Sequence, residues 1–142
     1  MQANIIDADQ LAFAATGRTR SLFTEDVERH RASIADLVSD KRVLVIGGAG
    51  SIGASTTELL VRFQPRTLHI VDISENALAE LVRDFRSNPD LSPPADLRLL
   101  PIDFGSATME RLLRTEAPYD VVLNFAAHKH VPLELYGTEQ SL

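Results

Sequence analysis

The chain contains no cysteine and no tryptophan. Lacking cysteine, it has no disulfide, no thiolate metal centre and no cysteine nucleophile, and it suits a reducing compartment. Lysine is nearly absent too. Lys41 and Lys129 are the only two, and every other basic residue is an arginine. Basic residues number 14 against 20 acidic ones, a net charge of -6, which argues against a nucleic-acid binder because that role needs a basic face to neutralise phosphates. No apolar run approaches the ~20 residues of a membrane span. The first residues carry Asp7 and Asp9 and no basic segment of the kind that opens a signal peptide. We therefore expect a cytoplasmic protein with neither nucleic acid nor membrane as partner. Tyrosine is scarce as well, limited to Tyr119 and Tyr136, and that scarcity limits the chemistry available.

What the chain does have is 142 residues, 44% of them hydrophobic, enough for one domain with a core and an appendage. Residues 1–40 form the appendage, a helical extension. Leu11 to Ala15 suit a short helix stopped by Gly17. Thr24 suits an N-cap, with Glu25, Asp26 and Glu28 in the first turn where acids favour the helix dipole. Val27, Ile34, Leu37 and Val38 share one face at helical spacing. The spacing predicts one amphipathic helix over 24–39 that packs on the body or on a partner. His30 belongs to its surface.

From Lys41 onward the pattern alternates between strand and helix, giving a dinucleotide-binding domain over 41–142. Arg42–Gly47 is an apolar, β-branched run suited to a strand covered on both faces. Helix follows over Ser51–Phe63 and ends at Gln64-Pro65. Thr67–Asp72 is the second strand, and Ser74 caps a helix to about Ser87 with Leu78, Leu81, Val82 and Phe85 inward. Leu97–Ile102 is the third strand, Ser106 caps a helix ending near Ala117-Pro118, and Tyr119–Phe125 is the fourth strand. Alternation of this kind gives a parallel sheet with right-handed crossovers. We expect an α/β, Rossmann-type doubly wound sheet of order 3-2-1-4. It is incomplete at four strands, with ligands binding beyond the carboxyl ends between strands one and four. The outer edge of strand four then needs cover, which predicts a homodimer or domain-swapped oligomer.

Gly47-Gly48-Ala49-Gly50-Ser51-Ile52-Gly53 lies between the first strand and its helix. Both Gly48-x-Gly50-x-x-Gly53 and Gly47-x-x-Gly50-x-x-Gly53 are dinucleotide-binding spacings. The first glycines allow a tight turn, Gly50 lets backbone approach a diphosphate, and Gly53 brings helix close to strand. The helix N-terminus, with the Ser51 and Ile52 amides, offers free N–H groups to phosphate. Asp72, 19 residues after Gly53 at the tip of strand two, is placed to accept from ribose hydroxyls and to repel a 2′-phosphate. Ile73, where an NADP binder often has arginine, points the same way, to NAD over NADP. Asp103 and Phe104 suit the adenine amino group and ring. Asn124, Ala126 and Ala127 let backbone pass beneath the nicotinamide ribose, and Lys129 could reach that ribose or a substrate phosphate. His128 and His130 alternate, but no third ligand accompanies them, so no metal site is expected. His69, inside strand two, reads as a packed or hydrogen-bonded core residue.

Taken together, Gly47–Gly53, Asp72-Ile73-Ser74, Asp103-Phe104 and Asn124-Phe125-Ala126-Ala127-His128-Lys129-His130-Val131-Pro132 resemble the extended short-chain dehydrogenase/reductases. The match is to their polysaccharide-biosynthesis branch of UDP-N-acetylglucosamine 4,6-dehydratase type. The likeness covers roughly 41–132. It departs at Ile46, where threonine is common, and at His128, where a larger apolar residue is common. The resemblance implies a lyase that holds NAD(P) and removes water across C5–C6 of a UDP-sugar. It also implies a catalytic tyrosine with a lysine four residues later. Four residues beyond Tyr119 and Tyr136 stand Leu123 and Gln140, so these 142 residues cannot supply that pair and are expected to be inactive alone. The UDP-sugar would then be a partner only of a complete enzyme. The alternatives are a stand-alone dinucleotide-sensing or partner-binding module, an enzyme completed by another chain, and a nucleotide-sugar epimerase fragment.

Overall fold

The structure is a computed structural model that describes residues 13–17, 22–116 and 118–126. Contacts divide the chain into two units, Met1–Leu37 and Val38–Leu142.

In the first unit a short helical stretch at 13–16 closes at Gly17, whose φ is +67° and whose N–H donates to the Phe13 carbonyl at 2.7 Å. Two helices follow, α1 (Leu22–Arg29) and α2 (Arg31–Val38). The single helix expected over 24–39 is thus two, joined at His30, whose N–H still donates to the Asp26 carbonyl. Thr24 is not an N-cap. Leu22 and Phe23 are already helical, and a cap must stand outside the first helical residue. Leu37 is 65% exposed, and Val38 is buried. Exposed pairs Arg29–Asp26 and Arg31–Glu28 lie along these helices. Such exposed pairs are screened by solvent and contribute little to stability.

The second unit runs β1 (Arg42–Ile46), α3 (Ser51–Arg62), β2 (Thr67–Asp72), α4 (Glu75–Ser87), β3 (Asp96–Pro101), α5 (Ala107–Glu116) and β4 (Val121–Asn124). The strands form one parallel sheet of order β3-β2-β1-β4. This is the expected order. Two crossovers step outward from β1 to β3 and the third returns to β4. Right-handed connection therefore places α3 and α4 on one face and α5 on the other. Register fixes what each face offers. Leu44 is level with His69 and Ile46 with Val71. On that side Leu44, Val71 and Met109 of α5 form a buried cluster joined by Leu100, Ile102, Leu112 and Tyr119. The alternate residues Val43, Val45, Leu68 and Ile70 are fully buried on the opposite face. The helices supply Leu60, Val61, Leu78, Leu81 and Phe85 as buried partners. Ser74 caps α4 by accepting from the Ala77 N–H, and Ser106 accepts from the Met109 N–H at the start of α5. Gln64, in the left-handed region at φ +54°, ends the turn before Pro65.

At the amino end of the sheet a polar chain ties three strands together. His69, with no exposed surface, bonds Tyr119 through Nδ1 at 2.7 Å and Asp96 through Nε2 at 3.4 Å. Asp96 can only accept, so Nε2 carries the proton and Nδ1 accepts from the tyrosine hydroxyl. Tyr119 titrates above its ordinary value, chiefly because burial disfavours the phenolate and next because of the Glu116 charge. Arg42 lies over the Tyr119 ring, 5.5 Å from its centre. It also donates to the Glu116 and Pro118 carbonyls, pinning the turn into β4. The expectation that His69 is a hydrogen-bonded core residue agrees with this arrangement.

Candidate functional site

The cleft beyond the carboxyl ends of the strands encloses about 320 Å³ and is lined by β1, β2, β3 and β4 ends and the loops that follow them. Gly47 turns out of β1 with φ +72°. A side chain there would press on the Phe125–Ala126 backbone, 2.6 Å from the Ala126 nitrogen. Gly53, in the first turn of α3, has the carbonyl oxygen of Gly47 2.1 Å from where its Cβ would be. These two glycines are required by the protein's own packing.

Gly50 is different. Its backbone is extended, at φ -69° and ψ 169°, which any residue can adopt. A Cβ there would meet nothing nearer than 3.7 Å. The fold therefore gives no reason for glycine at 50, and Gly50 lines the cleft. Gly50 is also the N-cap of α3 and offers no side-chain cap. Among the described residues, the first hydrogen bond into this turn is the Ala54 N–H to the Gly50 carbonyl. The preceding first-turn amides, those of Ser51, Ile52 and Gly53, are the donors a helix start leaves to a ligand.

Asp72 stands at the tip of β2 and lines the same cleft. Its Oδ2 accepts from the Ala49 N–H and its Oδ1 from the Ser74 N–H, both at 3.0 Å. Asp103 lines the cleft from the end of β3. Its Oδ1 accepts from the Gly105 N–H at 2.9 Å, an Asx turn, and its carbonyl accepts from the Ser106 hydroxyl. Ile73 and Phe104 flank these acids and are 76% and 47% exposed. Two large apolar side chains at one rim make a surface suited to a flat ring. Among the described residues no lining residue is basic, and there is no cluster of three or more metal-ligating side chains.

Of the residues singled out from the sequence, Gly47, Gly50, Asp72, Ile73, Asp103, Phe104 and Ala126 line this cleft. Ser51, Ile52 and Gly53 lie behind it in the first turn of α3. Asn124 ends β4, and its Oδ1 accepts from the Ala126 N–H at 3.0 Å, so it shapes the β4 exit. Ala127 and Lys129 lie outside the described residues, as do His128, His130 and Tyr136. The cleft also includes Ile46, Val71, Ile102 and Phe125, which the sequence reading did not name as cofactor-binding residues. Their signal was present, since each stands at or next to the last residue of an apolar run.

A family model described as polysaccharide biosynthesis protein matches residues 43–140. An uncharacterized membrane protein of Methanocaldococcus jannaschii is 38% identical over 104 residues, covering 73% of this chain and 28% of that protein. The probable polysaccharide biosynthesis protein EpsC of Bacillus subtilis is 25% identical over 138 residues, covering 93% and 23%. Among solved structures, Pen from Bacillus thuringiensis superposes with a TM-score of 0.52 at 30% identity, covering 66% of this chain and 26% of that one. The chain thus spans about a quarter of the length of the relatives it matches. No helix among the described residues is long and apolar enough to cross a membrane. With its glycine loop, its strand order and a family match over more than half its length, the chain belongs to the polysaccharide biosynthesis protein family.

Proposed function

We propose that this chain is the NAD-binding portion of a nucleotide-sugar 4,6-dehydratase of UDP-N-acetylglucosamine type. The observation that carries the reading is the joint placement of Gly50, at an uncapped helix start, and Asp72, at the tip of β2, in one cleft. In this reading the first-turn amides of Ser51 and Ile52 hold the diphosphate, supported by the α3 dipole. Asp72 accepts from the adenosine ribose hydroxyls. Ile73 and Phe104 enclose the adenine, and Asp103 accepts from its amino group. Ala126 lies beneath the nicotinamide ribose, and the sequence alone assigns Ala127 and Lys129 to that end of the cofactor. Bound NAD would supply reversible uptake of a hydride from the sugar.

NAD is favoured over NADP on electrostatic grounds. Asp72 and Asp103 put two carboxylates in a cleft with no basic lining residue among the described ones, and a 2′-phosphate beside them would face like charge. The tyrosine–lysine pair of the family cannot be formed from Tyr119, Tyr136, Lys41 and Lys129, so these residues bind and orient without turning substrate over. Cytoplasmic placement and self-association remain part of this proposal.

Calorimetric titration tests it. NAD is expected to bind, NADP to bind at least about tenfold more weakly, a difference of about 1.4 kcal/mol, and UDP-N-acetylglucosamine to be left unconsumed. Absence of NAD binding, or turnover by these 142 residues, overturns the reading.

A further inference from the structure

Asp72 has more to do in the free protein than wait for a ribose. The glycine loop is held at its start by the Gly47 and Gly48 N–H groups, which donate to the Val71 carbonyl at 2.7 and 3.3 Å. Thr57, fully buried in α3, donates its hydroxyl proton to the Gly53 carbonyl at 2.7 Å, with the Gly48 carbonyl farther off at 3.4 Å. Next along the chain comes the Ala49 N–H to Asp72 Oδ2 bond. Among the described residues no further hydrogen bond holds the loop until Ala54 bonds Gly50. The Asp72 carboxylate is itself immobilised by the Ser74 N–H on its other oxygen. It therefore bridges the exit of β2 and the middle of the loop, one residue short of the uncapped helix start.

We propose that Asp72 is a positioning residue for the diphosphate cradle as well as the ribose acceptor, so that ribose choice and grip on phosphate cannot be separated at this residue. The inference rests on the dinucleotide reading above. Each carboxylate oxygen has two acceptor directions. One on each oxygen is taken by backbone, leaving the other for a ligand hydroxyl. A substitution meant to admit a 2′-phosphate removes the tether of Ala49 at the same moment. It yields a protein that binds both dinucleotides poorly, not one that prefers NADP.

Asp72→Asn separates the two roles. An amide offers one acceptor and one donor group, so either Ala49 or Ser74 loses its partner while size and shape are kept. The comparison uses NAD and an NAD analogue whose adenosine lacks both ribose hydroxyls, together with amide hydrogen exchange of the ligand-free protein. Under the proposal, Asp72→Asn weakens the analogue about tenfold or more, although no ribose contact remains to lose. The Gly48 and Ala49 amides also exchange at least about tenfold faster, while those of Val43–Val45 are unchanged, which separates a loosened loop from a loosened fold. Asp72→Ser, whose hydroxyl is too short to bridge the two amides, is expected to give the same pair of changes and serves if Asp72→Asn does not fold. Equal binding of the analogue by wild type and both variants, or exchange at Gly48 and Ala49 unchanged in both, overturns the proposal. If wild type binds neither ligand, the dinucleotide reading fails, and the exchange comparison still decides whether Asp72 holds the loop.

Discussion

Gly50 and Gly53 stand three residues apart and answer to different demands. At Gly53 the Gly47 carbonyl fills the space of a side chain. Gly53→Ala therefore forces backbone apart, and a loss of about 1–3 kcal/mol is expected by chemical denaturation. At Gly50 nothing in the protein occupies that space. Gly50→Ala should leave stability within about 0.5 kcal/mol yet lower NAD affinity by about tenfold or more, as read by titration. A variant at 50 that unfolds the protein, or one that binds NAD normally, would contradict the assignment. His69 gives a third case. His69→Leu keeps bulk but strands the Tyr119 hydroxyl and takes a donor from Asp96. Leaving buried polar groups unpaired costs about 1–3 kcal/mol, which a denaturation curve would show as a lower midpoint with unchanged slope.

Among the elements, those with local signals were legible. The β-branched run at 42–46, the serine caps before α4 and α5, and Gln64-Pro65 after α3 each state a boundary through backbone chemistry. The strands matched within a residue or two, and β2 matched fully. The leading helices were less legible because the Thr24 signal, hydroxyl then acids, recurs inside helices as well as before them. Nothing in residues 22–38 is glycine or proline, so the interruption at His30 has no marker. In the cleft, Gly50 and Asp72 were legible because spacing alone relates them. The Ala49–Asp72 bond was not, since a hydrogen bond across 23 residues has no sequence signature.

The polar chain at the amino ends of β2, β3 and β4 carries a pH signature of its own. Burial alone would raise the Asp96 pKa. Hydrogen bonds from His69 and Thr67, with the Arg98 charge, outweigh that and hold it below the ordinary carboxylate value. A carboxyl lowered on folding adds stability above its unfolded value of about 4, and that contribution is lost as pH falls through the folded value. Asp96→Asn should therefore flatten the stability profile below about pH 4. An unchanged profile in an acid titration followed by circular dichroism would show that Asp96 contributes nothing to it.

At the scale of the molecule, β4 pairs with β1 alone among the described strands, and Val122 on it is 53% exposed. Apolar edges of this kind invite pairing, which is the physical basis for expecting self-association. Sedimentation should show a species that grows with concentration, and a clean monomer at high concentration would remove that expectation. The lining of the cleft has a further consequence. Among the described residues its only charged lining side chains are Asp72 and Asp103, so at the start of α3 attraction for a diphosphate comes from backbone dipoles at close range, with nearby carboxylates opposing it. Added electrolyte shields the longer-range repulsion more than the short hydrogen bonds. Unlike a lysine- or arginine-lined phosphate site, this one should keep or slightly increase its affinity as ionic strength rises.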